Sequence, residues 1–205
     1  MIVSFESFKS IADVIVEYQI TSIEKSFIQP LLIDVNPSFQ DTLDRHLTEF
    51  NVKDSEYAAC EMIIFPILAE VYYHHRQKFV LWSHKTLTYD DRLTGIPDYT
   101  LAKRSPLGKV IWDRPYFVAV EAKKDDFVKG WGQCLAQMLA MQKLNENPEQ
   151  PVYGIVTNGE IWQFGNLTHQ TFIQERKSYT LDYLEDLMAA LNFLFQSCGE
   201  LIEQS

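Results

Sequence analysis

The chain has 205 residues, of which 46% are hydrophobic and 22% are charged, so a packed core is expected and an intrinsically disordered chain is excluded. The formal net charge of −10 at pH 7 argues against a large nonspecific nucleic-acid surface, which would be basic. It leaves room for a small basic groove, because binding follows local potential, and it suits a site that collects metal cations.

The sequence also indicates in which cellular compartment the protein is expected. No run approaches the roughly 18 consecutive apolar residues of a membrane span, and the first ten residues lack the basic and apolar blocks of a signal peptide. The cysteines, Cys60, Cys134 and Cys198, are too far apart for a metal knuckle or a disulfide framework. We therefore expect free thiols, a cytoplasmic location and no membrane partner.

Apolar residues at helical spacing dominate the first part of the chain. Residues 5–18 carry such a pattern, and Asn36-Pro37 is typical of a helix start. Asp54-Ser55 precedes a strongly apolar helix within residues 53–75, in which Pro66 is expected to cause a bend.

The period then changes to that of strands. Strands are predicted at 78–90, 96–104, 116–124, 151–156, 160–167 and 171–180, with a turn-rich connection at 105–115 and helices at 126–145 and 181–203. Asn158-Gly159 suits a tight hairpin. This order predicts an α/β protein with a mixed central β-sheet flanked by helices.

We expect one domain over residues 1–205. Its core spans 55–157, with N-terminal helices in an extension at 1–53 and a C-terminal hairpin plus helix at 158–205. The long apolar stripe of the last helix is expected to cover the sheet of its own domain, and a homodimer surface is the alternative.

Two charged stretches interrupt the apolar strands. Side chains alternate along a strand, so Glu121 and Lys123 share a face with the small Ala119, which leaves space in front of them. Asp98 lies near the start of the preceding strand. If these strands are antiparallel neighbours, the two carboxylates meet.

Paired carboxylates repel each other unless one is protonated or a cation lies between them. Mg²⁺ (or Mn²⁺) binds such oxygens together with water and substrate phosphate, and it acidifies a bound water. A neighbouring lysine can position or deprotonate that water. Asp98 and Glu121 as metal ligands and Lys123 as water activator thus predict hydrolysis of phosphodiester bonds.

Pro97-Asp98 followed by Glu121-x-Lys123 resembles the PD-(D/E)XK nuclease superfamily, which has the restriction-endonuclease-like fold. The family's core order of helix, three strands, helix and strand matches the predicted order over residues 55–157. The stretch SEYAACEMIIFPIL is similar to the N-terminal nuclease region of type I restriction subunits and their relatives.

The resemblance implies a metal-dependent nuclease whose partner is nucleic acid, in the first place DNA. It implies Glu56 as a glutamate of the first core helix, either a metal ligand or a supporting residue, with Glu61 as the second choice. It implies Gln133 as a residue that orients the site, with Gln137 one turn later on the same face.

Two other interpretations stay open. Asp98, Glu121 and Lys123 could form a buried salt bridge with no further role, although such pairs are costly without additional partners. The chain could also be a catalytically inactive nuclease-fold domain that binds a protein or nucleic acid, which the acidic composition favours. A second Glu-x-Lys, Glu175-Arg176-Lys177, lacks the preceding Pro-Asp and the apolar strand and serves as an internal control.

Overall fold

The computed structural model describes residues 4–203. Its helices are α1 (Ile11–Tyr18), α2 (Pro37–Glu49), α3 (Glu56–Ala59), α4 (Phe65–His75), α5 (Phe127–Asn145) and α6 (Leu184–Glu203). Its strands are β1 (Thr21–Glu24), β2 (Phe79–Ser83), β3 (Leu87–Thr88), β4 (Thr94–Gly95), β5 (Tyr99–Arg104), β6 (Trp112–Ala122), β7 (Val152–Thr157), β8 (Ile161–Thr168), β9 (Thr171–Gln174) and β10 (Tyr179–Thr180).

One eight-stranded mixed sheet organises the fold and confirms the predicted α/β class. The strand order is β1-β9-β8-β7-β6-β5-β2, with β10 also paired to β8, and β3 and β4 form a separate two-stranded sheet. The pairs β6–β7 and β1–β9 are parallel, and the other pairs are antiparallel. The parallel β6–β7 pair is joined by α5, the helical crossover that such a pair requires.

Helices cover both faces of the sheet. The core on one side includes Ile63 and Ile67 of the helical run from Glu56 to His75, together with Leu191 of α6. The core on the other side includes Leu135 and Met138 of α5. The apolar stripe of α6 therefore packs inside the chain, as expected, and a homodimer stays a prediction.

Local sequence explains where the helices begin. The Asn36 side chain accepts a hydrogen bond from the Ser38 amide at 2.9 Å, and Pro37 occupies the first helical position of α2. The Ser55 hydroxyl caps α3 by accepting from the Ala58 amide at 3.1 Å. A π-helical turn, Cys60–Ile64, joins α3 to α4.

Several predicted boundaries were wrong. The predicted strand at 78–90 ends at Ser83, because His84 has a positive φ of 49°. β6 begins at Trp112, inside the predicted connection. Pro115 is tolerated there because β6 pairs with β7 only from Val118 onward, and a register shift interrupts its pairing with β5.

The sheet also crosses the predicted division into a core and two extensions. β1 lies in the segment predicted to be helical, and its four residues are exposed, so apolar alternation could not reveal it. The predicted strand at 171–180 divides into β9 and β10. Residues 1–3 and 204–205 of the predicted extensions lie outside the described residues. Within residues 4–203, no helix has the length and apolar character needed to cross a membrane.

Candidate functional site

Strand pairing brings Asp98 and Glu121 to the same end of the sheet. β5 and β6 are antiparallel neighbours, with Tyr99 opposite Val120. Asp98 immediately precedes β5, and its Oδ2 accepts a hydrogen bond from the backbone amide of Ala122 at 2.7 Å. The expected juxtaposition of the two carboxylates is thus present, and the β6 backbone orients one of them.

Glu121 is a buried carboxylate held by two side chains. It is 4% exposed. Its Oε1 lies 2.8 Å from Lys123 Nζ, and its Oε2 accepts a hydrogen bond from Gln137 Nε2 at 2.6 Å. The backbone amide of Lys123 donates to the Thr157 carbonyl at 2.8 Å, so β7 fixes the residue that carries the ammonium.

Glu56 lies beside the cluster formed by Asp98, Glu121 and Lys123. Its Oε2 is 3.7 Å from Lys123 Nζ, and its Oε1 accepts from the Lys124 amide at 3.2 Å. Glu56 therefore contacts the lysine rather than the other carboxylates. The second choice, Glu61, is exposed and does not line the cleft described below.

Two glutamines of α5 face the carboxylates. Gln133 and Gln137 are both buried. Gln137, the residue one turn beyond the predicted Gln133, makes the hydrogen bond to Glu121. Within residues 4–203, the buried Oε1 atoms of both glutamines have no hydrogen-bond partner. Because buried amide oxygens are normally satisfied, these two acceptors are available to a group bound in the cleft.

His84 completes the group and was missed by the sequence analysis. Its Nε2 is 3.4 Å from Asp98 Oδ1, and its amide donates to the Asp98 carbonyl at 2.9 Å. The Ser83 hydroxyl lies 2.7 Å from its Nδ1. No spacing rule identifies His84, because it is the register of β2 against β5 that places the end of β2 next to Asp98.

An open cleft of about 480 Å³ gives access to these side chains. Its lining includes Glu56, His84, Asp98, Glu121, Lys123, Gln133 and Gln137, so all predicted site residues except the second choice Glu61 lie at one place. A smaller cavity of about 200 Å³ lies beside it and shares Glu56 and Lys123 with the cleft. The lining of the smaller cavity includes Val52, Ala59, Ile63 and Ala122.

The site carries more negative than positive charge. Burial, followed by the nearby Asp98 carboxylate, raises the pKa of Glu121 to about 7 despite the Lys123 ammonium. Burial also raises the pKa of Asp98, although the Ala122 amide and Lys123 favour its ionised form. Burial lowers the pKa of Lys123, but Glu121, Glu56 and Asp98 outweigh it and raise this pKa overall. Lys123 is therefore a protonated ammonium in this structure, suited to orienting a water.

The residues present fit a divalent cation of the Mg²⁺ type. Asp98 and Glu121 offer hard oxygen ligands, and the unpartnered amide oxygens of Gln133 and Gln137 can accept from water on such an ion. Residues 4–203 contain no cluster of three or more His, Cys, Asp and Glu side chains arranged to hold a metal. Two protein carboxylates are a common complement for Mg²⁺, which keeps several water ligands.

The other predicted features have ordinary structural roles. Glu175 of the second Glu-x-Lys accepts from the Phe27 and Ile28 amides at 2.7 and 3.0 Å and does not line the cleft. The cysteines are free, as expected, and all three are buried. Comparison of the chain with protein-family models gave no match, and comparison with curated proteins gave no match either.

Proposed function

We propose that this protein is a metal-dependent nuclease of the PD-(D/E)XK type, which hydrolyses phosphodiester bonds of DNA. One observation carries the proposal: the Lys123 ammonium pairs with two carboxylates, Glu121 and Glu56, at an open cleft that a third carboxylate, Asp98, also lines. A salt bridge with no other role needs only one of these carboxylates. The excess negative charge is what a divalent cation would neutralise.

Each residue has a distinct part in the proposed reaction. Asp98 and Glu121 would hold Mg²⁺ or Mn²⁺, which supplies an acidified water and stabilises charge on the phosphate. Gln137 holds Glu121 in position through Oε2. Lys123 orients the attacking water and stabilises negative charge on the phosphate, and Glu56, 3.7 Å from its Nζ, helps to hold the lysine.

His84 is placed to act on Asp98. Its ring lies beside Asp98 Oδ1, while the Ala122 amide occupies Oδ2. A side chain in contact with a ligating carboxylate helps to fix the direction in which its remaining lone pairs point. We therefore assign His84 as a positioning residue of the proposed metal site.

The competing proposal is a catalytically inactive nuclease-fold domain that binds a protein or nucleic acid. It draws on the net charge of −10 and on the fact that Lys123 already has carboxylate partners. The two proposals differ in what they expect of metal. The nuclease requires a specific divalent-metal site, and the interaction domain does not.

The decisive experiment is cleavage of supercoiled plasmid and of a labelled single-stranded oligonucleotide in Mg²⁺, Mn²⁺ or EDTA. The parent is compared with Glu121→Ala, Lys123→Ala and the matched control Glu61→Ala, which alters an exposed glutamate outside the cleft. We expect metal-dependent cleavage by the parent and by the control, and none by the other two variants.

Calorimetry with Mn²⁺ separates the roles. Lys123→Ala should retain metal binding, whereas Glu121→Ala should lose it. Cleavage by Lys123→Ala at the parent rate would disprove the role assigned to the lysine. If the parent neither cleaves nor binds metal, the nuclease proposal is wrong and the interaction domain is favoured.

A further inference from the structure

The cleft presents exposed apolar side chains beside its carboxylates. Tyr57 follows Glu56 in α3, lines the cleft and is 73% exposed. Ile96, in the segment between β4 and β5, lines the same cleft and is 57% exposed. Exposed apolar side chains are common on protein surfaces, but these two lie at the mouth of the cleft, where they can contact an apolar part of a ligand.

The lysines around the cleft are already engaged. Lys123 pairs with Glu121 and Glu56. Lys124 Nζ donates to the Asp54 carbonyl at 3.0 Å. Lys53, at the neighbouring small cavity, forms an ion pair with Glu160 at 2.5 Å.

This arrangement does not suit a duplex held by its phosphates. Duplex binding depends on lysines and arginines that neutralise phosphates and release counterions. Among the described residues that line the cleft, Lys123 is the one lysine and none is an arginine, and the chain carries a net charge of −10. Single strands can instead be held by bases that stack on aromatic side chains, a contact that every base can make. Tyr57, exposed beside the proposed phosphodiester-cleaving site, is suited to that contact.

The small cavity favours the same kind of substrate. It shares Glu56 and Lys123 with the cleft, and much of its lining is apolar, from Val52, Ala59 and Ile63. Its volume of about 200 Å³ gives room for one heterocyclic ring system and not for a base pair. A base that enters such a cavity must be unpaired, as in enzymes that act on extruded nucleotides.

We infer that the substrate of this cleft is single-stranded nucleic acid, with one unpaired base stacked on the ring of Tyr57. The inference rests on the proposed function, because it assumes that a phosphodiester binds at the cluster of Asp98, Glu121 and Glu56. It goes further by naming the strandedness of the substrate and the residue that recognises it.

The test is binding of a fluorescein-labelled single-stranded oligonucleotide and of the duplex of the same sequence, measured by anisotropy in Mg²⁺. Lys123→Ala is the background, so that cleavage does not interfere. Tyr57→Ala, Tyr57→Phe and Tyr183→Ala are added to it. Tyr183 is the matched control, because it is 72% exposed and does not line the cleft.

We expect the single strand to bind more tightly than the duplex. Tyr57→Ala should weaken single-strand binding by about 5- to 100-fold, the range for loss of one aromatic–base stack. Tyr57→Phe and Tyr183→Ala should leave it near the background value. The dissociation constant should depend weakly on salt, with a logarithmic slope of about 1 to 2, because few phosphates are neutralised.

Three results would overturn the inference: duplex binding as tight as single-strand binding, equal effects of Tyr57→Ala and Tyr183→Ala, or no binding of either oligonucleotide. Cleavage by the parent protein reports separately on the proposed function. Glu121-dependent cleavage combined with duplex preference removes only the inference. Tyr57-dependent binding of single strands without cleavage by the parent removes only the nuclease proposal.

Discussion

Gln137 and Glu121 are joined by a hydrogen bond of 2.6 Å from Nε2 to Oε2, which links helix α5 to the end of strand β6. The other carboxylate oxygen faces Lys123 at 2.8 Å. Both oxygens of Glu121 are thereby oriented before any ligand binds. A preoriented carboxylate binds a cation without first losing side-chain freedom.

Removing the side-chain amide of Gln137 should weaken metal binding. We expect Gln137→Ala to lower Mn²⁺ affinity by about 10- to 100-fold, the usual effect of losing a group that orients a ligand. Gln142→Ala is the matched control, because Gln142 is a buried glutamine of the same helix that does not line the cleft. Titration calorimetry of both variants gives the comparison, and equal losses would refute the role given to Gln137.

The raised pKa of Glu121 predicts how stability depends on pH in the metal-free protein. In the folded state this pKa is about 7, against an ordinary value of 4.5. The folded state therefore binds more protons between these values, and the free energy of unfolding should fall as pH rises through this window. Above pH 7 the contribution of Glu121 to stability is lost.

Thermal unfolding from pH 4 to 8 in EDTA measures this dependence. Glu121→Gln, which stays neutral at every pH, should flatten the curve, although it also removes the carboxylate that pairs with Lys123. Addition of Mg²⁺ to the parent should do the same if the ion binds the ionised carboxylate. An unchanged curve for Glu121→Gln would show that other groups cause the slope.

A glycine of α5 makes room for the lysine. A Cβ added to Gly130 would lie 2.8 Å from Lys123 Cγ and 2.8 Å from Val156 Cγ1. Alanine usually stabilises a helix relative to glycine, by about 1 kcal/mol. We expect Gly130→Ala instead to destabilise the protein by about 1 to 3 kcal/mol, because neither neighbour can move freely, and to impair cleavage by displacing Lys123.

Gly199→Ala in α6 is the control for that substitution. There the added Cβ would meet Lys78 Cδ and Nζ at 3.1 Å, the mobile end of a flexible side chain. It should be neutral or stabilising in urea unfolding and leave cleavage unchanged. If Gly130→Ala behaves like Gly199→Ala, the packing constraint on Lys123 is absent.

Glu175 is expected to support acid stability. Burial raises its pKa, but hydrogen bonds from the Ile28, Phe27 and Lys177 amides outweigh that effect and lower it overall. The contribution of Glu175 to stability is thus present above the ordinary pKa of 4.5 and is lost as pH falls through the lowered value.

Glu175→Gln should therefore destabilise the protein at pH 7 by about 1 to 3 kcal/mol, since one buried acceptor is replaced by a donor. The loss should shrink toward pH 3. Glu149→Gln, at an exposed pair with His169, should change the free energy of unfolding by less than about 1 kcal/mol. Equal losses at both positions would show that the three amide contacts of Glu175 contribute no more than an exposed ion pair.

The sequence was sufficient to predict those strands and helices whose apolar residues recur at a regular spacing and face the core. β5, β6, α5 and β7 were predicted in the right order because their apolar patterns are strong. Their order and the antiparallel return of β6 on β5 bring Asp98 to Glu121. The juxtaposition of the two carboxylates was for that reason predictable from spacing and alternation alone.

Features that depend on the register of strand pairing, or on the position of a helix along the sheet, could not be predicted from the sequence. His84 reaches Asp98 through the pairing of β2 with β5, which no local pattern specifies. Gln133 and Gln137 lie one turn apart on the same helix face, and only the position of α5 along β6 decides which of them reaches Glu121. β1 was missed because all four of its residues are exposed and its partner is far away in the chain.

That distant pairing has a consequence for biosynthesis. Thr21 lies opposite Thr171, so β1 cannot complete the sheet until β9 has been made. During translation, β1 has no strand partner while the helices and central strands are synthesised. Contacts between such remote parts of a chain form late and slow the final stage of folding. We therefore expect the β1–β9 edge to be the last part of the sheet to acquire protection from hydrogen exchange during refolding.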